Sequence, residues 1–198
     1  MGEHTIISMG LVPADKVLRL AMLLHDVAKP ACKTTDENGQ NHFKLHPIQG
    51  AKMARNILRR LKFDNDTTDK VCNLVTNHDD RPPITERNVR RMIIRVGQEN
   101  FMDLLAIKRA DCLAQSMYKR EEKLKYVDDL ETAFNSIIAS GDCLRIKDLQ
   151  INGKDLIDLG VPQGTIIGET LKTVFDEVVE DPQLNNREYL LKRAKELI

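Results

Sequence analysis

The sequence predicts an all-α protein. Apolar residues recur with the 3.6-residue period of amphipathic helices through most of the 198 residues. Proline and glycine fall between the periodic segments, as they do between successive helices. Strand signals are confined to residues 149–151 at most. Together these observations predict a bundle of about nine helices.

Composition restricts the classes of protein that remain. Thirty basic and thirty acidic residues give a formal net charge of zero, and 41% of the residues are hydrophobic. No apolar run approaches the ~20 residues of a membrane span, and the N-terminus lacks the basic region of a signal peptide. The four cysteines show no CxxC spacing, which favours reduced thiols in a cytoplasmic protein. Aromatic residues at 4% argue against a sheet that stacks several bases.

The first predicted helix, 14–28, is apolar almost all round, which indicates a buried element. Pro30 ends it, and a loop rich in turn residues follows over 31–46. Pro47 suits the first turn of the next helix, 47–61.

Three further helices follow before residue 118. Asp66 or Thr67 is placed to cap a helix that runs to about His78. After a break at two prolines, helices are expected over 85–96 and 99–117. The remaining chain begins with a long charged helix over 118–140.

Glycines mark the rest of the chain. Gly141 ends the long helix, and the four glycines of 151–168 predict short helices with tight turns. That segment is not a P-loop, because no Gly-Lys-Ser/Thr is present. Helices over about 165–180 and 186–197 complete the chain.

The charge balance changes along the chain. Residues 1–111 hold 18 basic and 14 acidic residues, a net of +4, and residues 112–198 hold 12 and 16, a net of −4. The segment near 115–145 is the best candidate for a domain boundary. We therefore predict a domain over 1–117 and a C-terminal helical region over 118–198. A polyanion would prefer the positive half.

His25 and Asp26 are adjacent at the end of the most apolar helix. Burying both is costly unless both find partners, and one divalent cation satisfies an imidazole nitrogen and a carboxylate oxygen together. The dipeptide alone is weak evidence, because a hydrogen-bonded histidine beside a helix-terminal aspartate explains it better. Further histidines and an aspartate extend it into the order H…HD…H…H…D, formed by His4, His25, Asp26, His46, His78 and Asp111.

A family resemblance rests on several segments. They are EHTI at 3–6, LRLAMLLHDVAKP at 18–30, DENGQNHFKLHPIQGAKMARNILRRLKF at 36–63, VCNLVTNHD at 71–79, KRADCLAQS at 108–116 and the stretch 151–197. Together they resemble the HD phosphohydrolase superfamily, an all-α fold with a metal site. Within it they resemble the HD-containing C-terminal half of bacterial CCA-adding tRNA nucleotidyltransferases and related poly(A) polymerases.

The resemblance implies a metal site of one or two ions. The implied ligands of the first ion are His4, His25, Asp26 and Asp111. His46 and His78 match the positions of a second ion, with Asp26 bridging, and Lys29 matches a lysine that contacts phosphate. The ligand chemistry suits Mn, Fe, Ni, Co, Mg or Zn.

Two positions depart from the family pattern. Ala28 and Leu45 stand where glycine is common. Because Leu45 precedes His46, its bulk is expected to narrow the site or to shift His46, and this leaves the number of metal ions open.

The activity implied by the resemblance is metal-dependent hydrolysis of phosphate esters, with Asp26 and Lys29 as catalytic residues. Nucleotides, 2′,3′-cyclic phosphates and RNA ends are the expected substrates, linked to tRNA processing. The alternatives are a catalytically inert, RNA-holding C-terminal part of such an enzyme and a regulatory domain that binds a nucleotide. The Gly-Ser turn and paired aspartates of a nucleotidyltransferase head are missing, so the chain is expected to add no nucleotides by itself and to be a stand-alone protein or a rear fragment.

Basic residues at helical spacing form two stripes, the first of Lys52, Arg55, Arg59 and Lys62 and the second of Arg87, Arg91 and Arg95. Residues 52–95 hold 11 basic and 6 acidic residues. The stripes are either solvated helix faces or tracks for RNA phosphates, such as those of tRNA. The candidate RNA-binding residues are Arg55, Arg59, Arg87, Arg91 and Arg95.

Overall fold

A computed structural model, which describes residues 2–197, confirms the all-α class. The described residues form ten α-helices and one short antiparallel hairpin. The helices are α1 (Gly2–Leu11), α2 (Lys16–Leu24), α3 (His46–Arg60), α4 (Asn65–Asn77), α5 (Glu86–Val96), α6 (Phe101–Ala114), α7 (Arg120–Ser140), α8 (Gly153–Asp158), α9 (Thr165–Glu180) and α10 (Arg187–Glu196). None of them is long and apolar enough to cross a membrane.

The chain divides into two compact units. The first comprises Met1–Pro82 and Val96–Glu131, and the second comprises Pro83–Arg95 and Thr132–Ile198. Compactness therefore groups nearly all of α5 with the later helices and the first twelve of the 21 residues of α7 with the earlier ones. The predicted division between residues 117 and 118 concerns independent domains and stays a prediction.

The first unit is built around α2 and its neighbours. Asp15 caps α2 by accepting from the backbone N–H groups of Val17 and Leu18. The helix buries four of its side chains and packs against α1, α3, α4 and α6. It ends at Leu24, earlier than predicted, because the following amides bond three residues back: Val27 N to Leu24 O at 3.2 Å and Lys29 N to Asp26 O at 3.0 Å.

Helix α1 has no counterpart among the predicted elements. It packs against α2 and α6, yet its apolar pattern has no single face, because Ile6 is exposed whereas Ser8 is buried. Tertiary packing rather than periodicity accounts for this helix.

The hairpin lies inside the segment predicted as a loop. Strand β1 (Thr34–Thr35) pairs with β2 (Asn41–His42), with Thr34 opposite His42. The suggested strand at 149–151 is not formed; a 3-10 turn, Ile146–Asp148, precedes it instead.

The second unit has its own apolar core, formed with side chains from α8, α9 and α10. Arg90 of α5 is buried in this unit and holds the end of α9. Its guanidinium donates to the carbonyl oxygens of Val179 at 2.8 Å and Glu180 at 3.3 Å, and it pairs with Asp142 at 3.0 Å.

Candidate metal centre

Six side chains predicted as metal ligands converge in the first unit. Five stretches of chain supply them: the first turn of α1, the turn after α2, the first residue of α3, the end of α4 and the interior of α6. The residues are His4, His25, Asp26, His46, His78 and Asp111, and all are buried except His4, which is half-buried.

The first group of ligand atoms surrounds the Nε2 atoms of His4 and His25, which are 3.2 Å apart. Asp111 Oδ1 lies 3.1 Å from His4 Nε2 and 3.6 Å from His25 Nε2. Asp26 Oδ2 lies 3.3 Å from His25 Nε2. Two imidazoles and two carboxylates therefore face one small volume.

The second group uses the other oxygen of the same aspartate. His46 Nε2 and His78 Nε2 are 3.3 Å apart, and they lie 3.5 and 3.7 Å from Asp26 Oδ1. That oxygen is buried and has no hydrogen-bond partner among the described residues. Asp26 thus joins two sets of ligand atoms, each within 4.8 Å of one another: His4, His25 and Asp26, and Asp26, His46 and His78.

The orientation of the four imidazoles is set by backbone carbonyls. The accepting carbonyls are those of Ala114 for His4, Met22 for His25, Phe43 for His46 and Val75 for His78, at Nδ1···O distances of 3.3, 2.6, 2.8 and 2.7 Å. Because a carbonyl oxygen only accepts, each Nδ1 donates its proton to the carbonyl, and Nε2 is the ring nitrogen that faces the centre.

This arrangement fits divalent metal. At the His46 and His78 pair, two unprotonated Nε2 atoms 3.3 Å apart cannot hydrogen bond, and the buried Asp26 Oδ1 has no hydrogen-bond partner among the described residues, which is costly. A cation between the atoms of each pair satisfies all of them. Imidazole nitrogen with carboxylate oxygen is a donor set of Mn, Fe, Co, Ni and Zn.

The pKa values reflect the same concentration of negative charge. Burial alone would lower the pKa of His25, but Asp111 and Asp26 outweigh it and raise the pKa to about 9. Burial opposes ionisation of Asp26 as well, yet the His25 and His78 imidazoles hold its pKa well below the usual range. The pKa of Asp111 falls to about 2 although burial opposes it, because of its contact with His25. Both carboxylates are therefore ionised at neutral pH and available to a cation.

Lys29 and Leu45 lie beside the centre. Lys29 Nζ contacts Asp26 Oδ2 at 2.7 Å, so its ammonium is at the site and held by a ligand carboxylate. Leu45 has a left-handed backbone, with φ of 65°, and its side chain is 62% exposed. His46 remains buried against Asp26 and His78.

Two positioning residues were missed in the sequence. Lys108 is buried in α6 and donates to the carbonyl oxygens of His78 at 2.8 Å and Asp80 at 2.6 Å, and burial lowers its pKa to about 8. Gln115 donates from Nε2 to Asp111 Oδ2 at 2.8 Å. The available signals were a lysine within an apolar helix and a glutamine four residues after a ligand.

The candidate RNA-binding residues divide between the two units. In the first unit, Arg59 is exposed and Arg55 pairs with Asp69 at 2.6 Å. In the second unit, Arg87 and Arg91 both form ion pairs with Glu180, and Arg95 is exposed further along the same helix. Part of the second stripe is therefore neutralised within its own unit.

Comparison with known proteins adds a family. Residues 43–194 match the family described as tRNA nucleotidyltransferase domain 2, putative. The chain is 32% identical over 166 residues to a CC-adding tRNA nucleotidyltransferase of Thermus thermophilus, a match that covers 82% of this chain and 36% of that protein. It is 36% identical over 166 residues to an A-adding tRNA nucleotidyltransferase of Deinococcus radiodurans, covering 82% of this chain and 38% of that protein. The matches thus span little more than a third of these relatives.

Proposed function

Because this chain belongs to the tRNA nucleotidyltransferase domain 2 family, we propose that it acts in tRNA processing as a divalent-metal-dependent phosphohydrolase of the HD type. One observation carries the proposal: two pairs of facing Nε2 atoms share Asp26, whose Oδ1 has no hydrogen-bond partner among the described residues. Such a set of convergent acceptors serves a cation, whereas a purely structural core has no use for it.

His4, His25, Asp26 and Asp111 would hold one ion, and Asp26, His46 and His78 would hold the other. Bound there, divalent metal supplies Lewis-acid polarisation of a phosphoryl oxygen and lowers the pKa of water. Beyond holding the ions, the chain supplies the Lys29 ammonium, which is placed beside Asp26 to neutralise charge that develops on the phosphoryl oxygens.

The substrate proposed is a phosphate ester of RNA metabolism: a nucleotide, a 2′,3′-cyclic phosphate or an RNA end. The relatives are named for adding nucleotides to tRNA, which connects this chain to tRNA as a partner. A cytoplasmic location follows from that role and is proposed with it.

A second function is favoured by the extent of the matches. The chain corresponds to 36% and 38% of the two longer relatives. It would then be an inert part that holds RNA for a nucleotidyltransferase.

The decisive experiment measures metal and activity on the same samples. Purified chain is loaded separately with Mn, Fe, Co, Ni, Zn and Mg, its metal content is determined by elemental analysis, and hydrolysis of the three substrate types is assayed. We expect one or two equivalents of metal and metal-dependent hydrolysis.

The variant His25→Ala is expected to lose metal and hydrolysis while remaining helical by circular dichroism. His42→Ala is the matched control, because His42 lies on the hairpin against Asp36 and outside the centre. Equal metal content in wild type and His25→Ala would exclude the site. Full metal content without hydrolysis of any substrate would favour the inert, RNA-holding function.

A further inference from the structure

The chain between α6 and the first turn of α7 forms one edge of the metal centre. We call residues 115–123 the rim segment. It begins four residues after Asp111, and its backbone turns tightly, with Arg120 N donating to Met117 O at 3.2 Å. Apart from Gln115, which positions Asp111, its side chains have no part in the mechanism described above.

The side-chain amide of Gln115 links the rim segment to the centre by hydrogen bonds. Lys123 Nζ donates to Gln115 Oε1 at 2.6 Å, and Gln115 Nε2 donates to Asp111 Oδ2 at 2.8 Å. An ammonium only donates, so Lys123 determines which end of the amide faces Asp111. The Lys123 charge consequently lies one amide group away from a proposed metal ligand.

Arg120 offers a hydrogen-bond donor that has no acceptor. Its Nη2 donates to the carbonyl oxygen of Gln115, while its Nε is buried and has no partner within the described part of the chain. A buried, charged N–H without an acceptor is costly, and such a group is typical of a place where a ligand supplies the acceptor. Beside a phosphohydrolase centre, the fitting acceptor is a phosphate oxygen.

The rim segment also carries an exposed aromatic ring. Tyr118 is 72% exposed, whereas the other seven aromatic residues, all in the described region, are buried or half-buried. Lys119 Nζ lies 5.9 Å from the centre of its ring, which places a cation beside the ring. An exposed ring next to cations is the combination that binds a base and its phosphate in single-stranded nucleic acid.

We propose that the rim segment recognises a single-stranded RNA end whose terminal phosphate lies in the metal centre. Arg120 binds the neighbouring phosphate, and Tyr118 stacks on a base. This inference rests on the proposed function and narrows its substrate to an oligonucleotide rather than a mononucleotide, because Arg120 contacts a second phosphate.

The test compares three substrates on the full, metal-loaded chain: a tetraribonucleotide ending in a 2′,3′-cyclic phosphate, the corresponding cyclic mononucleotide, and glycerol phosphate as an ester without a base. Base stacking on an aromatic side chain contributes about 1–3 kcal/mol, a factor of about 5 to 150. Tyr118→Ala is therefore expected to lower kcat/KM for the tetranucleotide relative to glycerol phosphate by about that factor. Tyr118→Phe keeps the ring and is expected to keep the wild-type ratio.

Arg120→Gln supplies the second readout. It is expected to lower kcat/KM for the tetranucleotide relative to the mononucleotide. It should also reduce the slope of log affinity against log salt by about 0.7, the value for one phosphate contact on a single strand. A wild-type ratio in folded, metal-loaded Tyr118→Ala would overturn the proposal.

A second measurement distinguishes failure of the proposed hydrolase function from failure of the rim-segment proposal. If metal-loaded wild type hydrolyses none of the three esters, binding of the labelled tetranucleotide is measured by fluorescence anisotropy instead. Weaker binding by Tyr118→Ala than by Tyr118→Phe supports the rim segment as an RNA-end site without hydrolysis. Equal binding by the two variants overturns it.

Discussion

Asp26 contacts side chains of both groups in the centre and the Lys29 ammonium as well. One carboxylate oxygen contacts the Lys29 ammonium at 2.7 Å and the His25 ring at 3.3 Å, while the other faces His46 and His78 without a hydrogen bond. Neighbouring imidazoles lower its pKa against the effect of burial. A single side chain therefore links both halves of the centre, and Lys29 is its direct counter-charge.

Replacement of Lys29 separates phosphate binding from metal binding. In Lys29→Met we expect kcat/KM for a phosphate ester to fall by about 100-fold, the usual effect of losing one group that stabilises transition-state charge. Metal content should not fall, because Lys29 competes with metal for Asp26 Oδ2. Lys33→Met, an exposed lysine of the next turn, is the control. Loss of metal from Lys29→Met would show that Lys29 supports the ligands instead.

The backbone of Leu45 is strained, and Leu45 directly precedes the proposed ligand His46. A non-glycine residue with φ near 65° costs about 1–2 kcal/mol, and glycine avoids this at an entropic cost of about 0.5–1 kcal/mol. Leu45→Gly should therefore raise the free energy of unfolding by about 0.5–1 kcal/mol, measured by urea denaturation. Lys44→Gly, at a neighbouring position without positive φ, should lower it. Destabilisation of Leu45→Gly would mean that the leucine side chain contributes more than the strain costs.

The six side chains proposed as ligands could be identified from the sequence, whereas the residues that hold them in place could not. His25 and Asp26 are recognisable as a dipeptide on an apolar helix, and the remaining ligands follow in order. Lys108 and Gln115 act through a backbone carbonyl and a carboxylate that only the fold brings near them. Nor does any sequence pattern show that the side chain of Leu45 points outwards.

Among the elements, the ends of helices matter more to the site than their middles. His25 follows the last residue of α2, His46 begins α3 and His78 follows the last residue of α4. At the C-terminal ends of α2 and α4, backbone carbonyls have no partner within the helix and remain free to orient the rings of His25 and His78, while the carbonyl of Phe43, just before α3, orients His46. The same positions are the least predictable from periodicity, which explains why α2 was expected to run to residue 28 and ends at Leu24.

Lys108 secures the end of α4. In Lys108→Met the carbonyl oxygens of His78 and Asp80 lose their donor, which costs about 1–3 kcal/mol for each buried group left unpaired. Removal of a desolvated charge offsets part of this loss, so we expect the free energy of unfolding to fall by about 1–3 kcal/mol. Metal affinity should fall as well, because His78 is less firmly held.

Lys70→Met is the control for that change. Lys70 lies on α4, the helix whose end Lys108 secures, and it forms a surface ion pair with Asp66. Such a pair contributes less than about 1 kcal/mol. If Lys108→Met and Lys70→Met change stability and metal affinity equally, Lys108 has no special part in holding His78.

At the scale of the whole molecule, positive and negative charges are equal in number, and some of them also neutralise each other in ion pairs. Residues 1–111 carry a net +4 and residues 112–198 a net −4. Within the second unit, Glu180 of the negative part neutralises Arg87 and Arg91 of the positive part. An RNA phosphate at these arginines would have to displace a carboxylate, which sequence counts alone do not reveal.

Glu180→Gln tests this competition. If Arg87 and Arg91 contact tRNA, the variant should bind tRNA more tightly than wild type, and log affinity should fall more steeply with log salt, by about 0.9 for each added phosphate contact on a duplex. Glu188→Gln makes the same change in net charge at an exposed position of α10 and serves as the control. Equal affinity of the two variants would assign the stripe to an ordinary solvated face.

The proposed ligands come from five stretches of chain, and this affects how readily helix α1 detaches from the rest of its unit. His4 lies in the first turn of α1, a position where a helix normally frays, and its ring faces His25 and Asp111 across the centre. If His4 binds metal as proposed, α1 could not detach without breaking that bond. Loading with metal should therefore slow amide hydrogen exchange and protease cleavage in α1, whereas α10 of the other unit should exchange at the same rate. A chelator should restore the faster rate, so the centre governs the lifetime of the closed N-terminal helix.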